Sequence, residues 1–155
     1  MKCLVVYYSR TGVTKEVGDK IANSLGCDVE EVKSAKNRKG VIGYLLSGKE
    51  AMKKTPANIE KVKKDSASYD MVIVGTPVWA WNMSSPIRMY LRVNKDRIKK
   101  VAFFCTQGGS GAEKTFLEMG KIIGSNPVAT LDLKTVEVKK EDYSSKVNEF
   151  TSKFK

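Results

Sequence analysis

Lys2-Cys3-Leu4-Val5-Val6-Tyr7-Tyr8-Ser9-Arg10-Thr11-Gly12-Val13-Thr14 decides the fold. From Cys3 to Tyr8 the chain is apolar at successive positions, which suits a strand buried on both faces of a parallel sheet. The chemistry then changes at once. Ser9, Thr11 and Thr14 bring hydroxyls, Arg10 a cation, and Gly12 a residue that tolerates tight backbone geometry. Val13, Val17, Ile21 and Leu25 follow at helical spacing, and Gly26 ends the helix. Strand, hydroxyl-rich loop and helix together aim free backbone N–H groups and a positive helix end at a phosphate. The same residues also serve ordinary helix capping. The loop lacks the Gly-Lys-Ser/Thr ending of a Walker sequence and the Gly-x-Gly-x-x-Gly of a dinucleotide fold.

Two further strands read as strongly. Asp70 to Thr76 is apolar and continuous, and is followed by Pro77-Val78-Trp79-Ala80-Trp81-Asn82-Met83, which holds both tryptophans of the protein. These indoles serve either as a lid on the core or as a stacking platform for a planar ligand. Ser84-Ser85-Pro86 reads as the start of the next helix, with a serine cap and proline in the first helical position. Lys100 to Cys105 is the third strand, and it runs into Thr106-Gln107-Gly108-Gly109-Ser110-Gly111. Glycines there let backbone groups approach a ligand closely. Ala112 to Ile123 reads as a helix, Pro127 to Leu133 as the last core strand, and Glu141 to Phe154 as a closing helix with an aromatic core stripe. Between the first helix and the second strong strand the pattern is weaker. Cys27 to Val32 reads as a strand near an edge, and Val41 to Lys54 as a short amphipathic helix.

Alternating strands and helices predict a doubly wound parallel sheet with helices on both faces. Right-handed crossovers bring the loops after the strands to one edge, where ligands bind in such folds. Loops 9–14, 76–82 and 106–111 should therefore meet. One offers phosphate donors, one aromatic faces and one backbone hydrogen bonds, a set that fits flavin mononucleotide (FMN).

Composition narrows the chemistry. The 155 residues, 41% hydrophobic, make one domain, 1–155, with no internal repeat and no apolar run of membrane-spanning length. No secretory signal pattern opens the chain, so a cytoplasmic location is expected. Its three cysteines lack Cys-x-x-Cys spacing and are expected to be buried free thiols in a reducing compartment. The complete absence of histidine removes imidazole catalysis and most zinc sites, so no catalytic side chain and no metal are expected, and redox chemistry falls to a cofactor. A net charge of +11 predicts acidic partners and salt-sensitive association. Nucleic acid is not expected on this basis alone.

Tyr7 to Thr14, Val74-Gly75-Thr76-Pro77-Val78-Trp79-Ala80 and Phe104 to Gly109 resemble the flavodoxin family, and the resemblance covers nearly the whole chain. It implies a five-stranded parallel sheet in the order 2-1-3-4-5, non-covalent FMN, and electron shuttling between redox proteins by a monomer or weak dimer. It implies that Ser9, Arg10, Thr11, Gly12, Val13 and Thr14 hold the phosphate. Trp79 and Trp81 would pack on or beside the ring. Thr76, Pro77, Val78, Ala80 and Asn82 complete the loop facing N5, and Thr106, Gln107, Gly108 and Gly109 bond the polar edge of the ring. An NAD(P)H-dependent flavin or quinone oxidoreductase on the same fold, or a basic binding module without flavin, are the alternatives. The sequence departs from the family twice. It reads Ala80-Trp81 where relatives often place glycine after the alanine, a residue that eases a peptide flip toward reduced N5. It is also basic where flavodoxins are typically acidic. At an effective dielectric of ~20, one charge ~8 Å away contributes about 2 kcal/mol, so the lowest potential of bound FMN is expected to be less negative than in acidic relatives.

Overall fold

The computed structural model describes residues 1–35, 47–49 and 58–155. Cys3–Tyr7 forms β1, Val13–Leu25 α1 and Asp28–Glu31 β2. Met71–Trp79 is β3, Asn82–Met83 β4 and Ser85–Asn94 α2. Val101–Gln107 is β5, Ala112–Ile123 α3, Thr130–Lys134 β6, Thr135–Lys139 α4 and Ser144–Ser152 α5. The parallel strands lie in the order β2-β1-β3-β5-β6, which is the expected 2-1-3-4-5. β4 is an addition to it, pairing antiparallel with the end of β3.

The continuous apolar strands are buried on both faces, as their sequences dictate. Cys3, Val5 and Tyr7 of β1 join one core with Val17 and Ile21 of α1 and Val147 and Phe150 of α5. Leu4, Val6 and Tyr8 join a second core with Ile87 and Leu91 of α2 and Met119 of α3. The closing aromatic stripe is core: Tyr143 and Phe150 are buried. β2 is an edge strand among the described residues; of its acids Asp28 is exposed, Glu31 half-buried and Glu30 buried.

Several boundaries differ from expectation. β3 continues past Thr76 to Trp79 because β4 supplies it with a second partner. The last strand is shifted to Thr130–Lys134, and α4 begins directly after it, where Glu137 accepts the Lys134 N–H at 2.8 Å. The closing helix starts at Ser144, after Glu141 turns the chain at φ 57. The helix expected over 41–54 falls outside the described residues except 47–49, which are helical.

The cysteines correct a stronger expectation. Cys3 and Cys27 form a disulfide, and only Cys105 is a free, buried thiol. The cause is register: Leu4 pairs with Asp28, so the preceding residues fall opposite one another, with Cα atoms 5.0 Å apart. Spacing along the sequence carries no trace of that. The pairing also removes the argument from free thiols to a reducing compartment. With its ends separated by 24 in sequence, the crosslink is expected to stabilise the fold by about 3 kcal/mol through the unfolded chain. Burial pushes the Cys105 thiol far above its ordinary range. Thiol titration of the unreduced protein should therefore find none reactive when native and only Cys105 when unfolded. Three reactive thiols in the unfolded, unreduced chain would refute the pairing.

Candidate functional site

β1, β3 and β5 are neighbours, so the loops that follow them share one rim of the sheet. In the first loop, Gly12 takes φ 100 at the start of α1, and no side chain caps that helix. The Ser9 hydroxyl accepts the Gly12 N–H at 3.0 Å and closes the loop on itself. The Glu16 N–H already bonds Gly12 O, so the N–H groups between them are the ones a helix start leaves over. Backbone N–H groups at a helix start are of the kind that suits an anion. Arg10 is half-buried here, Thr11 and Gly12 are exposed, and Val13 opens the helix. Thr14 is buried, and its hydroxyl lies 2.8 Å from that of Thr106, which ties the first loop to the third. Lys15, one turn in, donates to the Tyr7 hydroxyl at 3.1 Å and to Asp19 at 3.0 Å, contacts that hold its pKa above the ordinary range.

The second loop is a hairpin. Trp79 pairs with Asn82, and Ala80 and Trp81 turn the chain between them with φ 48 and 61. Two successive left-handed residues match the twist of a two-residue hairpin, a place usually given to Asn-Gly. It is held at three points. At its base the Thr76 hydroxyl accepts the Ser84 N–H at 2.9 Å and lies 3.1 Å from the Ser84 hydroxyl. α2 begins at Ser85, so Pro86 is its second residue rather than its first, and Ser84 before it makes no side-chain cap, contrary to the serine cap expected. Beside the turn, Asn82 Oδ1 accepts both the Met83 N–H and Arg88 Nη2 at 2.9 Å. At the tip, Trp81 Nε1 donates to Ser110 Oγ at 3.2 Å.

The two indoles differ. Trp79 is buried at 7% exposure, edge-on to Tyr8 at 5.4 Å, and belongs to the core under the rim. Trp81 is 59% exposed and offers a ring face. Thr76 and Asn82 are buried and serve the hairpin; Pro77, Val78 and Ala80 are half-buried around it.

In the third loop Thr106 and Gln107 are buried, and Gly108 and Gly109 are exposed. Gln107 Nε2 donates to Asp132 at 2.9 Å, while its Oε1 is buried without a partner among the described residues. An acceptor left this way suits an incoming donor. Gly111 has φ 106, and a Cβ there would press on Val78 and the Trp81 backbone. The third loop can approach the hairpin so closely only with glycine at that position.

The three segments expected to converge thus do so, through Thr14 with Thr106, Tyr8 with Trp79 and Trp81 with Ser110. Reading the sequence missed Ser84 and Arg88 as parts of this assembly; Ser110 and Gly111 were expected in the third loop, but not their contacts with the hairpin. The one available sign was Arg88, a cation on the apolar face of α2 beside Ile87 and Leu91.

A family model described as Flavodoxin matches residues 2–149. No curated protein matches the chain. Among solved structures, a flavoprotein from Lactobacillus acidophilus NCFM, crystallised in complex with FMN, is similar with a TM-score of 0.73 and 24% identity over 90% of this chain and 97% of that one. The two-electron reduced flavodoxin of Megasphaera elsdenii gives 0.61 and 17% over 97% and 96%. Oxidised flavodoxin 1 of Bacillus cereus gives 0.57 and 18% over 99% and 97%. At these identities the likeness is one of fold.

Proposed function

Because the chain belongs to the flavodoxin family, we propose that it holds FMN at this rim and carries electrons between redox partner proteins. The observation that supports the reading best is the meeting of an uncapped helix start, an exposed indole and a glycine-bearing loop at the ends of three adjacent strands. The start of α1, with Ser9 and Thr11 beside it, would take the phosphate. Trp81 would lie against the ring, because Trp79 has no exposed face to give. Gln107 Oε1 and the backbone of Gly108 and Gly109 suit the polar edge of the ring. When bound, FMN supplies the electron chemistry; the protein binds, orients and sets the local field.

The net charge of +11 makes acidic proteins the fitting partners, with rates that fall as salt is added. Titration of the FMN-free chain, followed by tryptophan fluorescence and visible absorption, is expected to give one site at about 1 μM or tighter, roughly −8 kcal/mol. A chain that neither quenches nor changes the flavin spectrum would end the proposal. If the loaded chain by itself turned over a quinone with NAD(P)H, the carrier would give way to an oxidoreductase.

A further inference from the structure

Arg88 is a cation where physical chemistry disfavours one. It lies near the start of α2, whose positive end opposes it, and it is 2% exposed. A buried charge is costly unless its polar atoms are paired, and an apolar side chain of similar volume commonly serves stability as well or better. Yet Arg88 Nε is buried with no partner among the described residues. Among the described residues the guanidinium bonds from Nη2 to Asn82 Oδ1, at 2.9 Å. Burial lowers the pKa of the guanidinium from its ordinary value, and Arg92 adds to that; the Glu118 carboxylate on α3 works the other way.

Asn82 is where the chain leaves the Ala80-Trp81 turn. Neither turn residue is glycine, and both are left-handed, so the local backbone resists a conformation that its surroundings must impose. Thr76 with Ser84 fixes the base of the hairpin, and Trp81 with Ser110 its tip. Arg88 grips the residue adjoining the turn, from a separate element.

We propose that Arg88 is a positioning residue: through Asn82 it holds the Ala80-Trp81 turn, and with it the Trp81 indole, against FMN, and so sets the affinity and potential of the cofactor. The proposal rests on the reading of this rim as the FMN site.

The test compares the full chain with its Arg88→Lys and Asn82→Ala variants and with Ala80→Gly added to Arg88→Lys. In the FMN-free protein, the two indole N–H resonances, assigned with Trp81→Phe, report the tryptophans separately. Arg88→Lys keeps the charge and loses the planar fork. It should shift and broaden the Trp81 resonance and leave that of Trp79 in place. Asn82→Ala should do the same with Arg88 untouched, and it carries the test if Arg88→Lys does not fold. Glycine at position 80 frees one left-handed position and should return Trp81 toward its original resonance. With FMN, Arg88→Lys should bind at least tenfold more weakly, about 1.4 kcal/mol. The loss should be unequal for oxidised and reduced cofactor, and each tenfold inequality moves a one-electron potential by about 59 mV. A Trp81 resonance indifferent to both variants overturns the proposal, whatever FMN does. So do an unchanged affinity and potential in variants whose Trp81 has moved. If the unaltered chain binds no FMN, the cofactor reading falls and takes the affinity half of the proposal with it, while the resonances still decide whether Arg88 places the turn.

Discussion

Thr11→Glu is expected to lower FMN affinity at least a hundredfold and to leave the melting temperature of the FMN-free protein unchanged or raised. Thr11 is exposed and stands just before Gly12, at the positive end of α1. A carboxylate there favours the helix dipole by roughly 0.3–1 kcal/mol. With the phosphate at the start of α1, as proposed, the same carboxylate would face it. At ~6 Å and an effective dielectric of ~20, each pair of unit charges repels by about 3 kcal/mol before screening, and a hundredfold loss needs only about 2.7 kcal/mol. The opposite signs of the two effects make the variant diagnostic, since a damaged fold would lower both. Thr11→Gln, of similar size and uncharged, should bind within a few-fold of the original. Isothermal titration with FMN and a thermal melt decide it. An affinity loss under tenfold would place the phosphate elsewhere.

Gly75→Ala strikes the fold itself. Gly75 sits in mid-β3 beside Phe104 of β5, and an added Cβ would fall within the Phe104 ring. That ring is fully buried in the core shared with Val5, Tyr7 and Ile73. It has no solvent to swing into, so strand or ring must shift. Overpacking of this kind costs typically 1–3 kcal/mol and more where backbone is displaced. About 3 kcal/mol is expected, a fall of roughly 6–12 °C in melting temperature at this chain length. Phe104→Leu in the same chain makes room and should recover part of the loss. A Gly75→Ala protein that melts with the original would show that the two strands do not pack as described.

How much could be read from the amino acids alone follows from the range of the interactions. β1, α1, β3, β5 and α3 are written locally, in continuous apolar runs and four-residue spacing, and the expected bounds of α3 are the observed ones. The meeting of three loops followed from parallel topology. The hairpin did not, because Ala-Trp carries none of the Asn-Gly signature of a two-residue turn, and the left-handed geometry at 80 and 81 is imposed from outside. The role of Ser84 was misread because a serine before Pro86 has two uses, and the buried Thr76 hydroxyl, far along the hairpin, claims it. Arg88 and Gly111 matter only through what the fold sets beside them.

The Cys3–Cys27 link joins β1 and β2 where those strands begin, whereas the ligand rim lies where β1, β3 and β5 finish. Its benefit comes from limiting the wandering of the denatured chain, and it sits at the opposite end of β1 from that rim. Endurance and grip are therefore separately adjustable. Material handled under dithiothreitol should tire sooner on heating than material kept in air, yet capture its flavin equally well.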